Sequence, residues 1–246
     1  VLSIGVVTSP MFYHSTFSLT SASGVIITGS HNPSEYNGFK IVFNNNSSSS
    51  EEILKLKKRM QAKDFEVGSG ILKEEDIKES YIRRVLESIN LSKKMKISVD
   101  CGNGAAGVVA RKVYESLGCE VTELYGDLDG SFPNHHPDPS KEENMIDLLK
   151  SVKNEGSDVG LAFDGDADRL GVITPKGEII YPDRQMILFS RQIIQNQPNA
   201  KIVFDVKCSK LLSDEITQLG GTPLICKTGH TFIKQKIRET NASLGG

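Results

Sequence analysis

Two stretches of this chain repeat one pattern. Lys96-Ile-Ser-Val-Asp100 and Lys201-Ile-Val-Phe-Asp205 each open on Lys-Ile, run apolar and end on aspartate. After the first, Gly102-Asn103-Gly104 leads into a helical segment through Leu117, which Gly118 can end, before a second strand over Cys119–Tyr125. After the second, Ser209–Leu219 reads as helix and Gly220-Gly221 as its stop, before a strand over Pro223–Cys226. Short apolar strands joined by a helix are βαβ units, and the strands of such a unit run parallel. Two in tandem predict mostly parallel sheets with helices on their faces. Ligands of such sheets bind beyond the carboxyl ends of the strands. Asp100, Asp164, Asp205 and Ser30 all fall at apparent strand ends.

The remaining segments fit an α/β chain. Val1–Thr8, Gly24–Thr28 and Phe39–Phe43 read as strands, and Glu74–Ile89 as a helix with Ile77, Tyr81, Val85 and Ile89 every fourth residue. The polar tract Asn44–Ser50 is predicted as a loop that caps a helix over Glu51–Gln61. Periodicity stops over Lys63–Gly70, a candidate domain boundary. A content of 38% hydrophobic and 24% charged residues predicts a globular protein, and a net charge of -2 argues against a nucleic-acid or anionic-membrane surface. No apolar run reaches the ~18 residues that span a bilayer, and no secretory leader is visible. Cys101, Cys119, Cys208 and Cys226 form no Cys-x-x-Cys pair and read as reduced thiols of a cytoplasmic protein.

Asp164-Gly165-Asp166-Ala167-Asp168-Arg169 sets three carboxylates within five residues, between strand-like Asp158–Phe163 and Leu170–Thr174. At ~4 Å two like unit charges repel by about 4 kcal/mol at an effective dielectric of about 20. A hard cation turns that repulsion into binding, and oxygen-only ligands suit Mg²⁺ or Mn²⁺. An EF-hand is excluded, because its glycine and glutamate positions hold Arg169 and Pro175. A solvated acidic turn is the bland alternative. Arg169, abutting the carboxylates, has the chemistry to hold a phosphate beside a metal.

Thr28-Gly29-Ser30-His31-Asn32-Pro33 presents a serine on a tight turn after an apolar run. Gly29 is expected to permit the backbone angle that turns the serine outward. Pro33 is expected to open a helix capped by Asn32, whose N-terminus would favour a phosphate on Ser30. The flanks are not those of a serine-hydrolase elbow. Taken alone, Ser30 reads equally as a helix cap and His31 as a surface histidine. Lys40 is ordinarily a solvated lysine, but near a metal and arginines its pKa is expected to fall, fitting it for proton transfer.

Together these residues resemble the α-D-phosphohexomutase family, and most closely its bacterial phosphomannomutase/phosphoglucomutase branch. Tyr36–Lys40, Val99–Gly107, Pro133–Pro139, Tyr181–Arg184, Phe204–Cys208 and Lys227–Lys234 also look like family segments, in family order. The resemblance implies tandem mixed, mostly parallel α/β domains of the phosphohexomutase type, incomplete at both ends. Residues 1–70 would be the end of domain 1, 71–177 domain 2 and 178–246 a truncated domain 3, with domain 4 absent. Ser30 would be the phosphoserine, completing with Asp164, Asp166 and Asp168 the shell of one Mg²⁺. Lys40 would be the general acid/base, with His31 and Arg169 beside the reacting phosphate. Arg184, Lys207 and His230 would bind the phosphosugar.

The implied reaction exchanges phosphate between C1 and C6 of mannose or glucose phosphates, through a hexose 1,6-bisphosphate that also serves as activator. No obligate protein partner is evident. Phosphoglucosamine mutase is an alternative within the family. A Mg²⁺-dependent phosphosugar-binding module and a weak phosphatase are alternatives outside mutase chemistry. The family's arginine- and tyrosine-bearing segment before residue 1 and its sugar-selecting loop after residue 246 have no counterpart in this sequence. It therefore reads as a fragment, with little or no mutase turnover expected of it alone.

Overall fold

The apolar run to Thr8 predicts a strand, yet only β1 (Leu2–Ser3) is extended and paired, and Thr8 instead caps a helix. The computed structural model describes residues 1–246 and divides into two compact units, Val1–Ile179 and Ile180–Gly246.

In the first unit, α1 (Ser9–Ser18) starts where Thr8 Oγ1 accepts the Met11 N–H at 3.3 Å. Its buried side includes Ser9, Ser15 and Thr16 beside Met11 and Phe12, so no apolar period marks it in the sequence. The Ser15 and Thr16 hydroxyls donate to the Phe12 and Tyr13 carbonyls, which offsets the cost of burying them.

Strands β2 (Gly24–Ile27), β3 (Phe39–Phe43) and β4 (Asn46–Ser47) form an antiparallel sheet in which Ile26 faces Lys40 and Phe43 faces Asn46. Asn44 and Asn45 hold φ values of 47° and 61°, the left-handed pair of a two-residue hairpin turn, which asparagine tolerates. The polar tract therefore contains a short strand as well as a cap. Its last serines start α2 (Ser50–Gln61) as expected. Ser49 Oγ accepts the Glu52 N–H at 3.3 Å and Glu52 returns a carboxylate oxygen to the Ser49 N–H at 2.7 Å.

β5 (Lys73–Glu74) pairs with β1 in parallel, so α3 (Lys78–Ser88) begins later than the periodicity predicts, where the Asp76 carboxylate takes the Lys78 N–H. Val7, Met11, Phe12, Val42, Ile82 and Val109 form one apolar cluster across these elements. Burying a side chain of this size contributes about 2 kcal/mol.

Next come β6 (Lys96–Asp100), a 3₁₀ turn over Ala105–Val108, α4 (Ala110–Ser116), β7 (Glu120–Leu124), α5 (Ile146–Glu155), β8 (Val159–Phe163), β9 (Leu170–Ile173) and β10 (Ile179–Ile180). The sheet order is β10-β9-β8-β6-β7. β6 is parallel to both β7 and β8, and β9 is antiparallel to β8. Alternation along β6 sends Ile97 and Val99 to one face with Ala106 and Ala110, while Ser98 on the other face bonds Ser151 of α5 at 2.9 Å. Met145, Leu148, Val152, Ala162 and Ile173 fill the α5 side.

The second unit comprises α6 (Pro182–Asn196), β11 (Lys201–Asp205), α7 (Lys210–Gln218), β12 (Thr222–Cys226), α8 (His230–Thr240) and β13 (Leu244–Gly245). Its three strands are parallel in the order β12-β11-β13, over a core that includes Ile187, Ile194, Ile202, Phe204, Leu212 and Ile216. The duplicated sequence pattern is a duplicated structure. Lys96 to Asp100 pairs with Glu120 to Leu124 just as Lys201 to Asp205 pairs with Thr222 to Cys226. In both copies the aspartate's Oδ1 takes the N–H two residues on, Gly102 at 2.8 Å and Lys207 at 2.9 Å. The sheets are mixed but mostly parallel, the antiparallel β2–β4 sheet and β9 being the exceptions. No helix is long and apolar enough to cross a membrane.

Candidate active site

The three aspartates lie in the six-residue connection between β8 and β9, whose flanking residues Phe163 and Leu170 pair directly. The antiparallel strands bring both ends of the loop together, and the carboxylates curl into a cluster with one oxygen of each within 4.8 Å of the others. Ala167 supplies part of the curl with a φ of 58°. Gly165 supplies a close approach: a Cβ there would lie 2.2 Å from the Ser30 carbonyl oxygen. The serine turn and the aspartate loop are thus packed backbone to backbone, although 134 residues separate Ser30 from Asp164.

Ser30 itself holds the left-handed conformation, with a φ of 50°, while Gly29 does not. Gly29 is small for another reason, since a Cβ there would meet the Tyr36 carbonyl oxygen at 2.8 Å. No helix follows Pro33, and the expected helix N-terminus beneath Ser30 is absent. Residues 29–36 form two tight turns, closed by Asn32 N–H to Gly29 O and Tyr36 N–H to Pro33 O, both at 2.9 Å. The return of the chain into β3 competes with a helix here, because Thr28 N–H must reach Gly38 O to continue the β2–β3 ladder.

The Ser30 hydroxyl donates to Asp164 Oδ2 at 2.7 Å and lies 3.3 Å from His31 Nδ1. The Asp164 Oδ1 accepts the Asp168 and Arg169 N–H groups at 2.9 and 3.0 Å. Burial pushes the Asp164 carboxyl up to about 6, and the like charges of Asp166 and Asp168 add to the shift. Asp166 Oδ2 accepts from Ser9 Oγ at 2.8 Å, Thr28 Oγ1 at 3.2 Å and the Lys40 ammonium. Burial would raise the Asp166 carboxyl, but Lys40, Ser9 and Thr28 outweigh it and hold it below the usual carboxylate range. Its second oxygen, Oδ1, is buried with no hydrogen-bond partner. An unpartnered buried carboxylate oxygen within a three-carboxylate cluster fits a divalent cation held by oxygen ligands.

Lys40 stands on β3 opposite Ile26 and bonds Asp168 Oδ2 at 2.7 Å and Ser9 Oγ at 2.8 Å as well as Asp166. Burial pulls its pKa down, but the contacting carboxylates of Asp166 and Asp168 pull harder and raise it. His31 is shifted down by burial and by the charge of Arg169, which keeps the imidazole neutral near pH 7. Arg169 is exposed, forms no ion pair, and projects its charge onto His31 and Asp138.

The second unit carries the other three predicted residues. Arg184 lies in the first turn of α6, Lys207 in the turn after β11, and His230 at the start of α8, all exposed. Exposed polar bonds link their segments at the carboxyl end of the parallel sheet. Asp205 Oδ1 takes the Lys207 N–H at 2.9 Å and the Thr228 hydroxyl at 2.8 Å, and Asp183 takes the Ser209 N–H at 3.4 Å.

Sequence reasoning missed Ser9, whose hydroxyl and N–H both bind Asp166, because nothing in Thr8-Ser9-Pro10 distinguishes it from an ordinary helix start. It also left His135, His136 and Asp138 without roles, although Pro133–Pro139 stands out among the segments of the resemblance. His136 Nε2 meets the His31 carbonyl oxygen, and Asp138 lies close enough to sense His31 and Arg169.

Comparison with known proteins places the chain. The models for phosphoglucomutase/phosphomannomutase α/β/α domains I, II and III match residues 1–67, 79–177 and 181–246 in turn. A phosphomannomutase/phosphoglucomutase of Pseudomonas putida is 48% identical over 246 residues, which is 100% of this chain and 53% of that protein. A phosphoglucomutase of Neisseria meningitidis serogroup A is 46% identical over 248 residues, 100% of this chain and 54% of that protein. The crystal structure of a phosphoglucomutase/phosphomannomutase family protein from Burkholderia thailandensis superposes with a TM-score of 0.95 at 43% identity, covering 100% of this chain and 56% of that one. The chain spans about half the length of the curated relatives it matches. Matched by all three domain models in succession, the chain belongs to the phosphoglucomutase/phosphomannomutase family of α-D-phosphohexomutases.

Proposed function

We propose that this chain carries the phosphoryl-transfer machinery of a phosphomannomutase/phosphoglucomutase, with Ser30 as the phosphate carrier. The observation that supports this most is the Ser30 hydroxyl, turned by a left-handed backbone onto Asp164 at 2.7 Å within the carboxylate cluster. Asp164, Asp166 and Asp168 would hold Mg²⁺, which when bound supplies positive charge against the phosphoryl oxygens.

Ser30 accepts a phosphoryl group from a hexose 1,6-bisphosphate and gives it to a free hydroxyl of mannose or glucose 1- or 6-phosphate. The returning bisphosphate, bound in the opposite sense, restores it. Lys40 takes the proton of the attacking hydroxyl or returns one to the departing oxygen, its amine being held within the cluster. His31, beside the Ser30 hydroxyl, and Arg169, with an unpaired guanidinium, bear on the phosphoryl group in transit. Arg184, Lys207 and His230 bind the distal phosphate and sugar hydroxyls. Residues 1–70, 71–177 and 178–246 act as successive domains of a cytoplasmic enzyme, a setting that suits four free thiols.

The test is mass spectrometry of the purified chain incubated with Mg²⁺ and glucose 1,6-bisphosphate. A gain of ~80 Da on the Ser30 peptide, lost on adding mannose or glucose 6-phosphate and absent in Ser30→Ala, is expected. A wild-type chain that stays unmodified would overturn the reading. Phosphate released to water in place of sugar would convert it into a phosphatase.

A further inference from the structure

Ser30 sits in a conformation that costs a non-glycine residue about 1 kcal/mol, and such a conformation persists only where the surroundings over-determine it. Two local bonds help: Ser30 N–H to Thr28 Oγ1 at 2.8 Å and Asn32 N–H to Gly29 O at 2.9 Å. Both lie inside the turn and move with it. The His31 carbonyl, by contrast, is bonded by His136 Nε2, which arrives from a loop 105 residues away. A carbonyl oxygen only accepts, so the His136 proton is on Nε2.

The donor is itself fixed. The His136 carbonyl accepts the Asp138 N–H at 2.8 Å and His135 Nδ1 at 3.0 Å, and His135 Nε2 lies 2.9 Å from Asp100 Oδ2. Both nitrogens of His135 face acceptors, so both carry protons and the ring is an imidazolium paired with Asp100. Asp100 is 1% exposed at the end of β6, where its other oxygen is taken by Gly102 N–H. Pro137, the next residue, fills the space beside Gly102 and Gly165.

We propose that His136 is a positioning residue for Ser30: it clamps the His31 carbonyl to the β6 strand end through His135 and Asp100, and so holds the serine on the aspartate cluster. The proposal rests on the reading of Ser30 as phosphate carrier, but its structural half is tested without that reading.

In the metal-free 246-residue chain, hydrogen exchange at the Ser30 and Asn32 amides reports the turn. Exchange at Val99 and Phe204, in the strand cores, reports global folding. His136→Leu removes the donor. His136→Asn, whose amide falls short of the carbonyl, removes it with a polar side chain that folds more readily. His136→Gln keeps an N–H near the position of Nε2. The clamp predicts exchange at Ser30 and Asn32 about fivefold faster or more in the Leu and Asn variants, with Val99 and Phe204 unchanged, and restoration in Gln. Phosphoryl uptake by Ser30 from glucose 1,6-bisphosphate falls about 100-fold in the first two variants and recovers to within about threefold in Gln. Wild-type exchange at Ser30 and Asn32 in the Leu or Asn variant would overturn the clamp. A wild-type chain that takes up no phosphate would overturn the functional reading instead, with the exchange comparison still deciding the clamp.

Discussion

Replacing Gly165 by alanine tests whether the contact between the serine turn and the aspartate loop sets the chemistry. Gly165 does not hold a left-handed φ, so alanine's own backbone preference is no obstacle. The obstacle is the Ser30 carbonyl oxygen 2.2 Å from the new Cβ, with no flexible side chain to yield. Ordinary carbon–oxygen contact requires the two loops to part by about 1 Å. Parting by that amount stretches the 2.7 Å bond between Ser30 Oγ and Asp164 beyond hydrogen-bond range. Overpacking of this kind costs about 2 kcal/mol, which lowers the melting temperature by roughly 4–8 °C in a chain of this size. A 1 Å displacement of the reacting oxygen slows phosphoryl uptake about 100-fold. Gly160→Ala is the control: its Cβ would lie 2.6 Å from Val152 Cγ2, in the core between β8 and α5. It should lose comparable stability yet load phosphate near the wild-type rate while folded. Thermal melts and time-resolved intact mass give both numbers. Wild-type uptake by Gly165→Ala, or equal slowing in Gly160→Ala, would refute the reasoning.

Two further outcomes follow from the electrostatics of the first unit. Lys40→Met leaves the buried Asp166 carboxylate without its cation, so the metal-free variant should lose about 3 kcal/mol in chemical denaturation. Mg²⁺ should then raise its melting temperature by more than it raises that of wild type, and an equal rise would show that Lys40 does not occupy the cation's place. For His135, the hydrogen bond to Asp100 raises the pKa, against the opposing effect of burial. A raised folded value stabilises fully below the unfolded imidazole's pKa of about 6.5 and is lost as pH climbs through the folded value. Denaturation midpoints should therefore fall as pH rises from neutral into that window. His135→Gln should flatten the decline, and a variant with the wild-type slope would remove His135 as its source.

Chemistry-bearing residues close in sequence are legible in the sequence itself. The carboxylates at Asp164, Asp166 and Asp168 must repel unless something cationic joins them, whatever the fold, and Lys40 is seen to do so. The strands ending at Asp100 and Asp205 were legible to the residue, since a short apolar run closed by a polar residue has few other conformations. Helix α1 was not, because its buried face is built from Ser9, Ser15 and Thr16, whose burial depends on hydrogen bonds that residue type does not reveal. The turns after Ser30 depart from the expected helix for a related reason. Asn32-Pro33 is a sound local helix start, and local preference lost to the long-range need to return the chain into β3.

Residue order alone determined the α/β class, the duplicated strand–helix–strand unit and the identity of the acidic and serine loops, because each depends on neighbours within a few positions. Only the tertiary structure decided that Ser30 rests on Asp164, that Lys40 is drawn up in pKa by Asp166 and Asp168, and that Ser9 and His136 belong to the same site. Those pairings span between 105 and 157 residues of chain. Contacts at such separations arise from packing of whole elements, which no local pattern encodes.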